Sequence, residues 1–323
     1  MIEILLALFF ISVLLFFLGS GIWVAISMVG VSSIGMILFT SRPVGDAMAT
    51  TIWGASSSWT LTALPLFVWM GEILFRTKLS ENLFEGLAPW LQKLPGGLIH
   101  VNVVGCALFA AISGSSAATV ATVGKMSIPE LRKRKYPEKI LLGSLAGSGT
   151  LGLLIPPSII LIIYGVTVQE SIAKLFIAGI IPGIMIALIF MGYVIVWSLL
   201  NKNKMPTNYE NFSLLNKLGK SKQLIPVILL ILGVIGSIYT GIATATEAAS
   251  LGVVGALILS YFQKSLTLKT FKDSLLGATK TSCMIAFILA GATFLSLAMG
   301  FTGLPRYLAL WIQNMDLSPY VLI

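Results

Sequence analysis

Ile112-Ser113-Gly114-Ser115-Ser116-Ala117-Ala118-Thr119 and, a short basic segment later, Gly147-Ser148-Gly149-Thr150 with Pro156-Pro157 interrupt two segments of membrane-grade apolarity. The first run lies inside Leu98–Gly124 and the second inside Ile140–Val166. In hydrocarbon, backbone N–H and C=O groups freed by a broken helix find no water. Such breaks persist only where protein buries them or where they line a polar cavity. Two breaks close together in sequence are the mark of a substrate and ion site built from discontinuous helices, which predicts a transporter. Pro156-Pro157 cannot continue a helical hydrogen-bond ladder and enforces the second break. The competing reading is close helix packing, for which membrane proteins also use small residues.

Outward from these runs the chain stays apolar. Of its 323 residues, 57% are hydrophobic and 10% charged, and stretches of about 20 apolar residues recur, as a polytopic helical membrane protein requires. Spans are expected near 2–18, 22–39, 52–75, 140–166, 175–200, 224–242, 245–262 and 275–301. The N-terminus lacks the basic flank and small-residue cleavage site of a signal peptide, so the first span is expected to be retained. The net charge of +9 does not indicate nucleic acid, because it is gathered into three expected loops. Lys125, Arg132, Lys133, Arg134, Lys135 and Lys139 fill one. Lys202, Lys204, Lys217, Lys220 and Lys222 fill the next, and Lys264, Lys269, Lys272 and Lys280 the third. This is the positive-inside pattern; contact of Arg132–Lys135 with anionic lipid is secondary.

Charge also bears on whether Leu98–Gly124 crosses the bilayer. A re-entrant hairpin leaves 18 Lys and Arg inside and 3 outside, whereas a crossing segment gives 16 and 5. The hairpin, folded at Ser113–Ser116, is favoured and puts the N-terminus in the periplasm.

A weak internal repeat runs beneath this topology. Gly21-Ile22-Trp23-Val24-Ala25 is echoed by Gly241-Ile242-Ala243-Thr244-Ala245, and Trp90-Leu91-Gln92 by Trp311-Ile312-Gln313. Amphipathic stretches at Leu79–Leu91 and Leu304–Ile312 read as arm helices lying along the interface. The expected organisation is an inverted repeat. Residues 1–221 form the first copy: spans, arm helix, re-entrant hairpin 98–124, broken helix 140–166, span 175–200 and a basic loop. Residues 222–323 form a partial second copy, whose own hairpin would begin near residue ~319 in a chain of roughly 420 residues.

Sodium, a hard cation, prefers oxygen ligands. Ser113, Ser115, Ser116, Ser148 and Thr150 offer hydroxyls, while unwinding at Gly114, Gly147 and Gly149 frees carbonyls; these eight are the candidate sodium ligands. Helix N-termini at the breaks suit a carboxylate, with Ser116, Thr119, Thr150, Pro156 and Pro157 as candidate solute contacts. Thr244-x-x-Glu247 reads as a capping box rather than an ion-coupling carboxylate. Cys106 and Cys283 lie in apolar segments and read as small buried hydrophobes rather than a disulfide or metal site, and lone His100 has no metal-ligand cluster around it. No organic cofactor is expected, and no enzymatic cluster stands at membrane depth.

The Ile112–Thr119 run, the Gly147–Pro157 stretch and Gly241–Ser250, with its Thr-Ala-Thr-Glu-Ala-Ala core, together resemble the large membrane subunit of TRAP transporters (tripartite ATP-independent periplasmic transporters, the DctM type). The resemblance runs the length of the chain. It implies an elevator-type carrier that couples inward sodium flow to uptake of carboxylate solutes, C4-dicarboxylates and sialic acids among them. The implied partners are a small four-helix membrane subunit and a periplasmic solute-binding protein, in the bacterial inner membrane. The sequence departs from the family pattern at Ala245, where the family has Pro, and in lacking the second hairpin and second broken helix. Two alternatives follow: a non-transporting remnant or scaffold for the small subunit, and a related sodium/carboxylate carrier that works without a binding protein.

Overall fold

The computed structural model describes residues 2–76, 79–206, 213–222 and 224–315. Fifteen α-helices and three short 3-10 turns account for the regular structure of those residues, with no strand among them. In chain order the helices are α1 (Ile2–Gly19), α2 (Val24–Phe39), α3 (Val44–Ser56), α4 (Ala63–Phe75) and α5 (Leu79–Leu91). There follow α6 (Ile99–Ser113), α7 (Ser116–Lys133), α8 (Glu138–Gly149), α9 (Ile159–Val168) and α10 (Ile172–Leu200). The last five are α11 (Leu214–Ser221), α12 (Ile225–Tyr239), α13 (Ala245–Phe262), α14 (Leu268–Phe301) and α15 (Leu304–Gln313). By length and composition α10, α13 and α14 suffice to cross a membrane, and two bent helix pairs raise the candidates to five. An all-helical polytopic architecture is the outcome.

Two compact units form, one from Met1–Trp59 with Cys283–Ile323 and the other from Thr60–Ser282. In the smaller unit, Leu6 and Phe10 of α1, Val31 of α2 and Leu304 of α15 share one buried cluster. Met36 joins Phe294 and Ala298 in another, and the Arg42 guanidinium sits 4.3 Å over the Phe301 ring. The larger unit is organised around α6. Leu83 and Leu87 of α5, Ile99, Cys106 and Phe109 of α6, Val123 and Leu131 of α7, Leu141 and Leu145 of α8 and Val194 of α10 make its main core. Burying such aliphatic side chains stabilises by ~1.5–3 kcal/mol each in water; within a bilayer, close packing and hydrogen bonds take over that role.

Five sequence expectations are corrected. The expected span at 52–75 is interrupted: α3 ends at Ser56 and a 3-10 turn, Trp59–Thr62, precedes α4. Ser57 and Ser58, of a residue type that favours helix ends over helix interiors, sit at that interruption. The hairpin's second arm runs to Lys133 rather than Gly124, and the broken helix spans Glu138–Val168 rather than 140–166. The expected span at 175–200 begins earlier, at Ile172, behind the Ser171 cap. Finally, the basic loops are largely helical: Lys125, Arg132 and Lys133 lie on α7, Lys139 on α8, Lys217 and Lys220 on α11, and Lys269, Lys272 and Lys280 on α14. Lys and Arg are good helix formers, so the helices continue past their apolar stretches. The expected start of a second hairpin near residue 319 lies outside the described residues.

Candidate functional site

The hairpin tip is set by one glycine. Gly114 closes α6 in the left-handed region, φ 58° and ψ 7°, a conformation only glycine adopts without strain. Its N–H donates to Ala110 O at 3.0 Å. Ser115 then reverses the chain as N-cap of α7, its Oγ accepting from Ala118 N at 3.4 Å. The arms return together: the Gly105 Cβ position lies 3.7 Å from Val123, and at the open end Leu98 N donates to Tyr136 Oη at 3.0 Å. Residues 99–133 are therefore a hairpin and not a single through-going helix.

The second break follows the same logic. Thr150 caps the end of α8, the 3-10 turn Thr150–Leu153 follows, and the cis Pro156-Pro157 bond leads into α9. Glycines on α10 close over this unwound segment, since Cβ positions at Gly179 and Gly183 fall 2.6 Å from Leu154 O and 2.9 Å from Ile155 Cγ1.

The two breaks meet. Ile159 N, the first amide of α9, donates to Gly114 O at 3.3 Å. A Cβ on Gly114 would stand 2.6 Å from Pro157 O, and one on Gly152 would stand 2.9 Å from Ser116 N. From a third side α4 presses in, with the Gly71 Cβ position 2.9 Å from Ser113 Cα. Two helix N-termini, of α7 and α9, and two C-terminal ends, of α6 and α8, thus converge. Aligned peptide dipoles make the former partly positive and the latter partly negative.

The candidate side chains fall into three groups. Ser113 Oγ and Thr119 Oγ1 are bonded to each other at 3.0 Å, and Ser115 N donates to Ser113 Oγ at 3.3 Å. This buried set stiffens the tip. Ser116 Oγ is buried without a hydrogen-bond partner, and Thr150 Oγ1, exposed, donates to Gly147 O at 2.7 Å. Ser148, fully buried, faces α6 instead, donating to Ser144 O at 2.6 Å and Asn102 O at 3.4 Å. At Gly149 the Val120 side chain fills the place of a Cβ. Pro156 and Pro157 are buried beside the tip.

Sequence reasoning missed Gly71, Gly152, Gly179 and Gly183, which let backbones approach. It also missed Asn102, whose Nδ2 donates to Ser144 Oγ at 3.0 Å and ties α6 to α8. A glycine inside an apolar helix is the available signal, but it does not say which helix comes close. Glu247 behaves as expected: Thr244 N donates to its carboxylate at 2.8 Å, and Glu247 N donates to Thr244 Oγ1 at 3.3 Å. Trp69 belongs to helix packing, its ring edge-on to Phe271 at 5.8 Å and its Nε1 donating to Ser274 Oγ at 3.3 Å. No group of three or more His, Cys, Asp or Glu stands together among the described residues.

Residues 10–323 match the family described as "Tripartite ATP-independent periplasmic transporter, DctM component". The chain belongs to the DctM family. Among its relatives is the C4-dicarboxylate TRAP transporter large permease protein DctM of Pseudomonas aeruginosa, 32% identical over 295 residues, covering 91% of this chain and 68% of the relative. The sialic acid TRAP transporter large permease protein SiaM of Vibrio cholerae is 33% identical over 313 residues, 95% of this chain and 71% of the relative. The isethionate TRAP transporter permease protein DctMQ of Oleidesulfovibrio alaskensis is 32% identical over 297 residues, 91% of this chain and 46% of that longer relative. This DctM chain is a component of a transporter rather than an enzyme, and an integral membrane protein.

Proposed function

We propose that this DctM chain is the solute-translocating subunit of a sodium-coupled uptake system for small organic anions. The observation that carries the proposal is the hydrogen bond from Ile159 N to Gly114 O, which joins two breaks that sequence alone leaves 45 residues apart. Carboxylates named for its relatives, C4-dicarboxylates and sialic acid, suit a site with two helix N-termini and no acidic side chain. Sodium takes hydroxyl and carbonyl oxygens from Ser113–Ser116 and Gly147–Thr150, with the orphaned Ser116 Oγ the most available of them. The solute's carboxylate lies toward Ser116, Thr119, Thr150 and Pro156-Pro157. A small membrane subunit and a periplasmic solute-binding protein complete the system, which works in the inner membrane with the N-terminus on the periplasmic side.

An inverted-repeat organisation, residues 1–221 and 222–323, with elevator-type movement is part of the same proposal. Supporting it, α12, α13, α14 and α15 succeed one another about 220 residues behind α1, α2, the α3–α4 pair and α5. The first two helices of each series are joined by a turn with a left-handed glycine, Gly21 at φ 79° and Gly241 at φ 72°.

The test is solute uptake into proteoliposomes holding this chain with its small subunit and binding protein, at graded sodium. Ser115→Ala is expected to raise the sodium concentration needed for half-maximal uptake. Sodium dependence unchanged in both Ser115→Ala and Ser116→Ala would sink the sodium assignment.

A further inference from the structure

The larger unit carries a feature that solute translocation does not use, the short helix α11. Ser213 caps it, its Oγ accepting from Asn216 N at 3.3 Å. Leu214, Leu215 and Leu218 share one side of the helix, at i, i+1 and i+4. They are 71%, 82% and 56% exposed, and α11 has no buried residue at all. Lys217 and Lys220 lie on the other side. An eight-residue helix with two such faces is not stable alone, so something must hold it.

Part of the answer is α5. Trp90 Nε1 donates to Ser221 Oγ at 2.7 Å, and Lys217 Nζ stands 5.3 Å over the Trp90 ring. Just past α11, Leu224 fills the space beside Gly86 of α5. Leu224 after the helix belongs to the unit's main core cluster, and Met205 before it packs against that cluster. These anchors fix α11 by its Lys217–Ser221 side and leave the leucines facing away from the protein.

The same anchors bring charge together. Lys202, Lys204 and Lys222 flank α11, and the segment 201–224 contains a single acidic residue, Glu210. No carboxylate pairs with Lys217 or Lys222 among the described residues. The surface is therefore an apolar ridge set in net positive charge, with an exposed tryptophan beside it.

We infer that α11, with Trp90 and its flanking lysines, is a docking surface for the anionic lipid of the leaflet that it faces. The leucines enter the boundary between headgroups and acyl chains, and the ammonium groups meet the lipid phosphates. Apolar area plus charge is what holds such a helix in the interface. Attraction to an anionic surface contributes ~1 kcal/mol per lysine, which corresponds to a roughly fivefold preference each.

The experiment uses the full chain, with Cys283→Ser removing the exposed native thiol, reconstituted in nanodiscs. A fluorophore is attached through Leu215→Cys or, on the opposite face, through Asn216→Cys. Nitroxide-labelled phosphatidylglycerol or nitroxide-labelled phosphatidylcholine, at equal mole fraction, serves as quencher. The inference expects strong quenching at 215 and weak quenching at 216. It also expects labelled phosphatidylglycerol to quench at 215 several-fold more than phosphatidylcholine, with the excess lost in Lys204→Gln/Lys222→Gln. Equal quenching at 215 and 216, or equal quenching by the two lipids at 215, overturns it. Neither readout requires sodium, solute or partner proteins, so it stands or falls separately from the transport proposal.

Discussion

Two interruptions in apolar sequence, at Ser113–Ser116 and at Ser57–Ser58, look alike on paper and differ in the fold. At the first, Ser113 is 4% exposed, Gly114 touches Pro157 and Ile159, and α4 closes over the top through Gly71. At the second, Ser57 is exposed between Trp53 at 76% and Trp59 at 81%, and α3, which leads into it, has no buried residue. A break is local chemistry, whereas a site needs other backbones to converge on the break. Glycines on three segments, Gly71, Gly114 and Gly152, bring backbones together at the first break, whereas Gly45 and Gly54 beside the second meet nothing within 4 Å.

The comparison can be broken most forcefully at Gly114. Gly114→Val combines a left-handed conformation costing ~1–2 kcal/mol with overlap against Pro157 O that adds a similar amount. Thermal unfolding in detergent is expected to shift markedly and uptake to vanish. An unaltered melting curve would mean that the tip is not fixed as described. Gly71→Leu comes next: overpacking against Ser113 is expected to cost ~1–3 kcal/mol and to lower uptake more than it lowers the amount of folded protein in the membrane. A smaller effect attends Ser113→Ala, which strands the buried Thr119 hydroxyl at a cost of ~1 kcal/mol, the lower end for an unsatisfied buried group. The double variant Ser113→Ala/Thr119→Val should recover the part of that loss that belongs to the Thr119 hydroxyl, because removing both partners of a buried hydrogen bond is nearly neutral, while Ser115 N still lacks its acceptor. A double-mutant cycle on the melting free energy measures the recovery, and simple additivity would contradict the bond. The mildest change belongs to the other break: Ser57→Ala is expected to stay within ~0.5 kcal/mol of the parent protein. A large loss there would erase the contrast between the two regions.

What the sequence revealed and what it hid follow the same division. Ser-Gly-Ser-Ser, Pro-Pro and Thr-x-x-Glu act within a few residues of themselves: the helices break at Gly114 and at Pro156-Pro157, and Thr244–Glu247 forms its capping box. The amphipathic stretch at Leu79–Leu91 coincides with α5 for the same reason. The Ser57–Ser58 interruption escaped notice because Gly-Ala-Ser-Ser-Ser is also what a close-packed membrane helix contains. The reach of α7 to Lys133 escaped because charge was read as loop, although Lys and Arg extend helices readily. Hidden altogether were the approaches of Gly71, Gly152, Gly179 and Gly183, since no periodicity tells a glycine which distant backbone it will meet. Ser148 shows the cost of that blindness: its run looked uniform, yet its side chain turns toward Asn102 and α6 while Thr150, two residues on, stays exposed.

The bond between Gly114 O and Ile159 N has a kinetic corollary. If the hairpin tip and the mouth of α9 are tethered at that point, neither can swing out while the other stays behind. Spectroscopic probes placed on the two segments should then report one relaxation time instead of two.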